Sequence, residues 1–203
     1  MAAAQDESMR FDDRPRCWWS GAESATPDPL MVAYHDDEWG TPVHDDIELF
    51  ERLALESFQA GLSWSTILRK RDGFRDAFRG FDPVVVAAFD PDDRDRLMAD
   101  AGIVRNGAKI DATVGNAAAF LAIAREFGSF DAFLATRVPP PPSRLPLDAG
   151  AGSIPATTPA SDALSKDLKG RGFRFVGSTI VYAFMQSVGL VDDHLPVCFR
   201  YRG

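Results

Sequence analysis

The sequence has 203 residues, of which 45% are hydrophobic and 11% aromatic, and its formal net charge is −8. This apolar content excludes a largely disordered chain, and the length allows one domain with a sizeable core. No apolar run approaches the roughly 18 residues of a membrane span. Two cysteines cannot form a disulfide framework, so we expect a reducing, cytoplasmic location and no membrane partner. Residues 1–15 are expected to be a disordered tail before a single domain over 16–203.

The charge is unevenly distributed along the chain. Residues 1–60 hold 14 acidic and 4 basic residues, a balance of −10, whereas residues 61–203 hold 16 and 18, a balance of +2. The second part contains the basic segments RKRDGFR and KDLKGRGFR. These segments fit either a face that binds nucleic acid or ordinary solvated helix surfaces, and charge alone leaves both interpretations open.

Hydrophobic periodicity predicts helices along most of the chain. Apolar residues at three- and four-residue steps predict a helix over 45–59 and a second over 64–78 that is interrupted or loosened near Gly73. Three further helices begin where an Asp or Thr cap precedes a proline, at 83–89, 91–100 and 159–169. An alanine-rich helix over 107–127 and a final one over 178–190 complete an all-α prediction. Residues 138–159, rich in proline and glycine, are predicted to be a loop.

Two potential metal ligands lie near each end of the chain. Cys17 and His35 are 18 residues apart, and His194 and Cys198 are separated by one helical turn. Thiolate and imidazole are the ligands that zinc prefers, and four of them close a tetrahedron without a position for water, as in a structural site. Such a site would tie the ends together across roughly 160 residues of intervening chain. The alternative is that the cysteines are small buried hydrophobes and the histidines ordinary polar residues.

The segments around these residues resemble the type I 3-methyladenine DNA glycosylases. They occur in the family's order over about residues 16–198: RCWW (16–19), YHDDEWGTPVHDD (34–46), LESFQAGLSWSTILRKR (55–71), FDPVVVAAF (81–89), DAGIVRNGAKI (100–110) and SDALSKDLKGRGFRFVGSTIVYAFMQSVGLVDDH (161–194). The resemblance implies an all-helical, helix-hairpin-helix glycosylase fold. It also implies that Cys17, His35, His194 and Cys198 hold one structural zinc per chain that joins the two termini.

The resemblance assigns a pocket for the damaged base to Trp19, Tyr34, Trp39, Glu56 and Trp64. The residue types suit this task, because a methylated adenine carries a delocalised positive charge that aromatic faces and one carboxylate attract. Glu56 is expected to recognise the base, and no general base is assigned. For any single tryptophan the alternative is simple core packing.

Two turns are candidates for contact with DNA. An enzyme that swings a base out of a duplex must fill the gap, and Gln59, Gly61 and Leu62 suit that role, with Leu62 as an apolar wedge. In the second turn, Arg105 and Lys109 are expected to add positive charge where the amides of a helix N-terminus meet a phosphate. The alternative for the first turn is an ordinary helix connection in which Leu62 packs inward.

Two positions depart from the pattern of the family. Met31 replaces a tyrosine that family members often carry, so one wall of the pocket is expected to be more deformable and less selective. Gly107 replaces a frequent arginine, which removes one expected phosphate contact.

The function implied by the resemblance is base-excision DNA repair. We expect a monofunctional, monomeric glycosylase that hydrolyses the N-glycosidic bond of N3-methyladenine in alkylated double-stranded DNA. One alternative is a non-catalytic, zinc-stabilised DNA-binding or scaffold protein. Another is a zinc hydrolase with three ligands and His44 nearby, in which the metal would keep a position open for water.

Overall fold

The computed structural model describes residues 12–140 and 142–202, so most of the predicted N-terminal tail lies outside the described residues. Within its described part, the carbonyl of Pro15 accepts a hydrogen bond of 2.8 Å from the amide of Phe199. This bond places the two ends of the domain side by side. The described residues contain no helix that is both long enough and apolar enough to span a bilayer.

The all-α prediction is confirmed. The described residues form the helices α1 (Pro29–Ala33), α2 (Asp46–Gln59), α3 (Trp64–Ala77), α4 (Pro83–Ala87), α5 (Pro91–Ala99), α6 (Gly107–Phe127), α7 (Phe130–Arg137), α8 (Pro159–Gly170) and α9 (Ser178–Ser187). A π-helical turn, Tyr34–Glu38, directly follows α1. Short 3₁₀ turns span Trp18–Ser20, Arg79–Phe81 and Ala151–Ser153, and two-residue strands β1 (Ser143–Arg144) and β2 (Val191–Asp192) pair in parallel.

The predicted cap-proline starts are present at three helices. The side chains of Asp82, Asp90 and Thr158 accept hydrogen bonds from backbone amides in the first turns of α4, α5 and α8. Each bond satisfies an amide that has no partner inside its helix. The predicted bounds of α6 match the structure, whereas α4 ends at Ala87 and α9 at Ser187, two and three residues before their predicted ends.

The sequence predicts that the second helix is interrupted or loosened near Gly73, but α3 runs without a break from Trp64 to Ala77. A glycine stands at position 73 because the backbone of α3 makes a close tertiary contact there. A Cβ at position 73 would lie 2.8 Å from the carbonyl oxygen of Gly102. The small residue therefore lets α3 touch the turn that follows α5.

Phenylalanine side chains dominate the main core, which is built around α2. Phe58 packs against Phe74 of α3 at a centroid distance of 4.7 Å, and Phe50 packs against Phe120 of α6 at 5.3 Å. A second, smaller cluster gathers residues from both ends of the chain and includes Cys17, Tyr34, Trp39, Leu195 and Cys198. The aromatic residues predicted to form the pocket belong to this second cluster or pack against it.

Two connections are relevant to the site. Residues 100–106 join α5 to α6 as the sequence predicts, and the Lys70 ammonium holds this turn by donating to the carbonyl of Ala101 at 2.7 Å. The segment 138–159 is less irregular than predicted, because it contains β1 and a 3₁₀ turn. The hydroxyl of Tyr201 also donates to the carbonyl of Leu145 at 2.9 Å, which fastens this segment to the C-terminal residues.

Candidate functional site

A cavity of about 400 Å³ opens between the N-terminal turns, α2 and α3. Its walls contain all five residues that were predicted to form the pocket, namely Trp19, Tyr34, Trp39, Glu56 and Trp64. Trp18, Ala151 and Ile154 also line it, and sequence reasoning did not find them. Ala151 and Ile154 come from the Pro/Gly-rich segment, whose fold over the pocket depends on contacts distant in sequence.

The aromatic rings of the pocket contact one another edge to face or at a tilt. Trp19 lies 4.8 Å from Trp39, with an angle of 68° between the rings, and Tyr34 lies 5.1 Å from Trp64 at 51°. Trp19 and Tyr34 are 6.3 Å apart and connect the two pairs. These contacts fix the orientation of each ring, so the walls present aromatic faces and edges to any planar group that enters.

Among the described residues, Glu56 provides the one carboxyl group in the walls of this pocket. The residue is 4% exposed, and burial raises the pKa of its carboxyl group to about 8, an effect that the charge of Arg52 partly opposes. The carboxyl group has no hydrogen bond from another described residue. At neutral pH the pocket therefore contains an uncharged acid that is poised to ionise when a cation approaches.

A partly buried ion-pair network centres on the buried side chain of Arg52. Arg52, one helical turn before Glu56, bonds to Glu38 at 2.7 Å and to Glu48 at 2.9 Å. Its guanidinium carbon lies 5.9 Å from the ring centre of Tyr34, and Arg71 bonds to Glu38 from the other side at 2.7 Å. Sequence reasoning missed Arg52, although an arginine on the apolar stripe of a helix is itself a signal.

The connection between α2 and α3 presents its apolar residue outward. Gln59 lines the pocket, Gly61 has a φ of +84°, and the side chain of Leu62 is 40% exposed. Ser63 then caps α3 by accepting a hydrogen bond of 3.2 Å from the amide of Thr66. Leu62 is thus not packed inward, and its exposed position is compatible with a wedge.

The two basic residues of the α5–α6 hairpin differ in their exposure to solvent. Arg105 is exposed beside the N-terminus of α6. Lys109 is only 7% exposed, and its ammonium donates to the carbonyls of Phe58 and Ala60 at 2.9 and 2.8 Å. The expectation that the charged group of Lys109 lies at a phosphate is therefore corrected, because this group is buried against the end of α2.

The two departures from the family pattern occupy different places. Met31 lines the pocket beside the aromatic residues. At Gly107, the first residue of α6, a Cβ would lie 2.8 Å from Nη2 of Arg94, which pairs with Asp111 at 2.7 Å. The space beside Gly107 is thus occupied by a different arginine.

Three of the four predicted metal ligands meet at one point. The ligand atoms of Cys17, His35 and Cys198 all lie within 4.8 Å of one another, and all three residues are buried. Nε2 of His35 is 3.4 Å from Sγ of Cys198, while its Nδ1 lies 2.7 Å from a carboxylate oxygen of Asp36. The thiols also interact. A hydrogen bond from Cys17 lowers the pKa of Cys198, and the same interaction raises the pKa of Cys17.

His194 lies next to this group. Its ring centre is 5.3 Å from that of His35, its Nδ1 is 2.8 Å from Asp192, and its Nε2 is buried without a hydrogen-bond partner among the described residues. Gly40 makes room for the ring, because a Cβ there would lie 2.7 Å from Cε1 of His194. An unpaired, buried imidazole nitrogen beside two thiols and a second imidazole fits a fourth zinc ligand.

His44 is not part of this cluster. Its side chain is 75% exposed and its Nδ1 lies 3.1 Å from a carboxylate oxygen of Asp131 on α7. The alternative of a zinc hydrolase with His44 near the metal is therefore corrected, since His44 pairs with Asp131 of α7 at the surface.

An aromatic pocket with one carboxyl group, next to a loop with an exposed leucine, is the kind of site in which a DNA glycosylase holds a base swung out of the helix. A family model described as methyladenine glycosylase matches residues 24–201. DNA-3-methyladenine glycosylase 1 of Escherichia coli (strain K12) is 48% identical, covering 93% of this chain and 97% of that protein. The chain belongs to the methyladenine glycosylase family.

Solved structures agree with this assignment. A crystal structure of a 3-methyladenine DNA glycosylase I superimposes with a TM-score of 0.85 at 46% identity and covers 93% of this chain and 100% of its own. A variant of 3-methyladenine DNA glycosylase I in complex with 3-methyladenine gives a TM-score of 0.82 at 39% identity, with coverages of 87% and 96%. The fold and the family are therefore established over nearly the whole described chain.

Proposed function

We propose that this protein removes N3-methyladenine from alkylated double-stranded DNA by hydrolysis of the N-glycosidic bond. The observation that carries the proposal is the pocket, in which five aromatic side chains and the buried carboxyl group of Glu56 line one cavity. A methylated adenine is planar and cationic while it is attached to the sugar. Aromatic faces and an ionising carboxyl group attract such a ring more strongly than they attract neutral adenine.

The reaction requires little of the enzyme beyond extruding the methylated base from the duplex and binding it. When the bond between C1′ and N9 breaks, its electron pair returns to the ring and cancels the positive charge of the base. A water oxygen then bonds to C1′, and its proton passes to solvent, leaving an abasic site. Leu62 fills the gap in the duplex, the aromatic walls hold the ring, and Glu56 recognises the charge.

Contact with the DNA backbone is assigned to the α5–α6 hairpin, which acts as a helix-hairpin-helix element. The first amides of α6 have no partners inside the helix, and Arg105 is exposed beside them. Phosphate binding at this point would present the extruded base to the pocket. The described walls of the pocket all come from this chain, and we propose that the enzyme acts as a monomer.

We further propose one structural zinc per chain, held by Cys17, His35, His194 and Cys198. Both histidines bond through Nδ1 to a carboxylate, at 2.7 Å for His35 and 2.8 Å for His194, which leaves Nε2 of each ring available as a ligand atom. This carboxylate–histidine arrangement is typical around bound zinc. With four buried protein ligands the metal would have no position for water, which argues against a zinc hydrolase.

The deciding experiment is release of free base from duplex DNA that contains N3-methyladenine, measured with and without a chelator. Release that persists after brief chelation supports a glycosylase with a structural metal. Activity that falls in step with metal removal, while the protein stays folded, would favour the hydrolase. No release under any condition would favour a DNA-binding scaffold and contradict the proposal.

A further inference from the structure

Lys109 occupies an unusual position for a lysine near a DNA-binding hairpin. It lies in the first turn of α6, where its own amide is capped by the side chain of Asn106 at 3.2 Å. Its side chain points away from solvent, since only 7% of the residue is exposed. Burial lowers the pKa of the ammonium group, and no carboxylate of the described residues acts on it.

The partners of this ammonium are backbone carbonyls at the end of another helix. Nζ donates to the carbonyl of Phe58 at 2.9 Å and to that of Ala60 at 2.8 Å, so its two bonds flank Gln59, the last residue of α2. Carbonyls in the last turn of a helix lack partners within it and carry partial negative charge. A buried cation is therefore held firmly at this position.

The segment that Lys109 holds is the one that carries the wedge. Gln59 lines the base pocket, and its carbonyl accepts a hydrogen bond from the amide of Leu62, the exposed leucine three residues later. Ser63 begins α3 directly afterwards. Hydrogen bonds from the first turn of α6 thus set the direction in which the chain leaves α2. They thereby also set how far Leu62 projects from the protein surface.

We propose that Lys109 is a positioning residue that couples the α5–α6 hairpin to the wedge loop. The inference rests on the proposed function. When the N-terminus of α6 docks on a phosphate, the same helical turn fixes the carbonyls on either side of Gln59, so that Leu62 enters the duplex at a set distance from the backbone. Lys109 itself touches neither phosphate nor base, because its ammonium is engaged inside the protein.

A double-mutant cycle tests this coupling. Wild type, Lys109→Met, Leu62→Ala and the double variant are compared for kcat/KM on duplex DNA containing N3-methyladenine and on the same strand unpaired. Lys109→Met should reduce activity on the duplex on the order of tenfold or more, and activity on the single strand by less than about threefold. In the Leu62→Ala background it should cost less than about twofold on the duplex, because the wedge that it positions is already gone.

Lys70→Met is the matched control. Lys70 donates to a backbone carbonyl of the hairpin turn, that of Ala101, and among the described residues it makes no hydrogen bond to the end of α2. Its replacement should act independently of Leu62→Ala, with multiplicative losses. Lys109→Arg keeps a cation with several donors and provides a milder perturbation, for which a smaller, duplex-selective loss is expected.

Two results would overturn the role of Lys109. One is an equal loss on duplex and single strand, and the other is a multiplicative loss in the double variant. Either result in Lys109→Arg would be decisive even if Lys109→Met failed to fold. A wild-type protein that releases no base from either substrate would instead refute the proposed function, so the two failures are distinguishable.

Discussion

Arg52 lies one helical turn before Glu56 on α2 and is the charged group that opposes the rise in the pKa of Glu56. Burial acts in the other direction and is stronger, so the pKa reaches about 8. The pocket therefore balances two requirements. The carboxyl group must be neutral enough to be buried without a partner and acidic enough to ionise beside a cationic base.

The first prediction concerns stability and pH. The pKa of Glu56 is about 8 in the folded protein and 4.5 in an unfolded chain, so between these values the folded state binds the extra proton. The contribution of Glu56 to stability is fully present below pH 4.5 and is lost as the pH rises to about 8. Glu56→Gln removes this dependence.

Chemical denaturation of both proteins at pH 5 and pH 8.5 measures the effect. The variant should be more stable than wild type at the higher pH, by an amount on the order of a few kcal/mol, and the advantage should shrink at the lower pH. A difference that does not change with pH would contradict the raised pKa.

The second prediction concerns excision by Glu56→Gln. Wild-type kcat/KM for N3-methyladenine should increase with pH up to about 8, as the carboxyl group of the free enzyme ionises. The variant should show no such increase and should be slower on the order of 10–1,000-fold at the plateau, because a hydrogen bond to a charged group is lost. Affinity for undamaged DNA serves as the control and should not change. Excision at the normal rate would show that Glu56 does not recognise the base.

The third prediction tests Arg52 through the same pH profile. Arg52→Met removes the charge that lowers the pKa of Glu56, so the rise of kcat/KM should move to higher pH. Arg71→Met is the matched control, because Arg71 also pairs with Glu38 but does not act on Glu56. If both variants shifted the profile equally, the effect would come from disruption of Glu38 rather than from the charge of Arg52.

The fourth prediction concerns the wedge. Leu62→Ala should reduce excision from duplex DNA by about tenfold or more, and excision from a single strand far less, because only the duplex leaves a gap to fill. Val84→Ala, a change at an exposed valine of α4 outside the pocket walls, controls for the loss of surface apolar area. Equal losses on both substrates would show that Leu62 has only a packing role.

The helices were predictable where their signals are local. The Asp90 cap before a proline marks the start of α5, and the alanine-rich segment from Gly107 to Phe127 matches α6 residue by residue. Gly73 misled the prediction because its reason is a backbone neighbour, Gly102, that lies 29 positions later and that no local pattern reveals.

The site shows the same division between local and distant causes. The aromatic residues and Glu56 were identified from motifs that resemble a known family, since spacing alone could not bring Trp19 to Trp64. Lys109 was assigned to phosphate because a sequence shows that a residue is charged but not that it is buried. Its carbonyl partners lie about 50 residues away, at the C-terminal end of α2.

The fifth prediction concerns the metal. Reconstituted protein should contain about one zinc per chain, and Cys198→Ala should lose it. The buried cluster that remains, Cys17, His35 and His194, would offer three ligands and one position open to water. Because metal binding contributes directly to folding, the variant should be destabilised by several kcal/mol.

Elemental analysis and thermal unfolding check this prediction, with Val197→Ala as the control at a neighbouring residue that is 67% exposed. The control should keep its zinc and its melting temperature. Gly40→Ala should resemble Cys198→Ala in part, because the added Cβ would displace the ring of His194 and with it Nε2. Wild-type protein without zinc, or Cys198→Ala with full stability, would show that the clustered thiols and imidazoles are held by core packing alone.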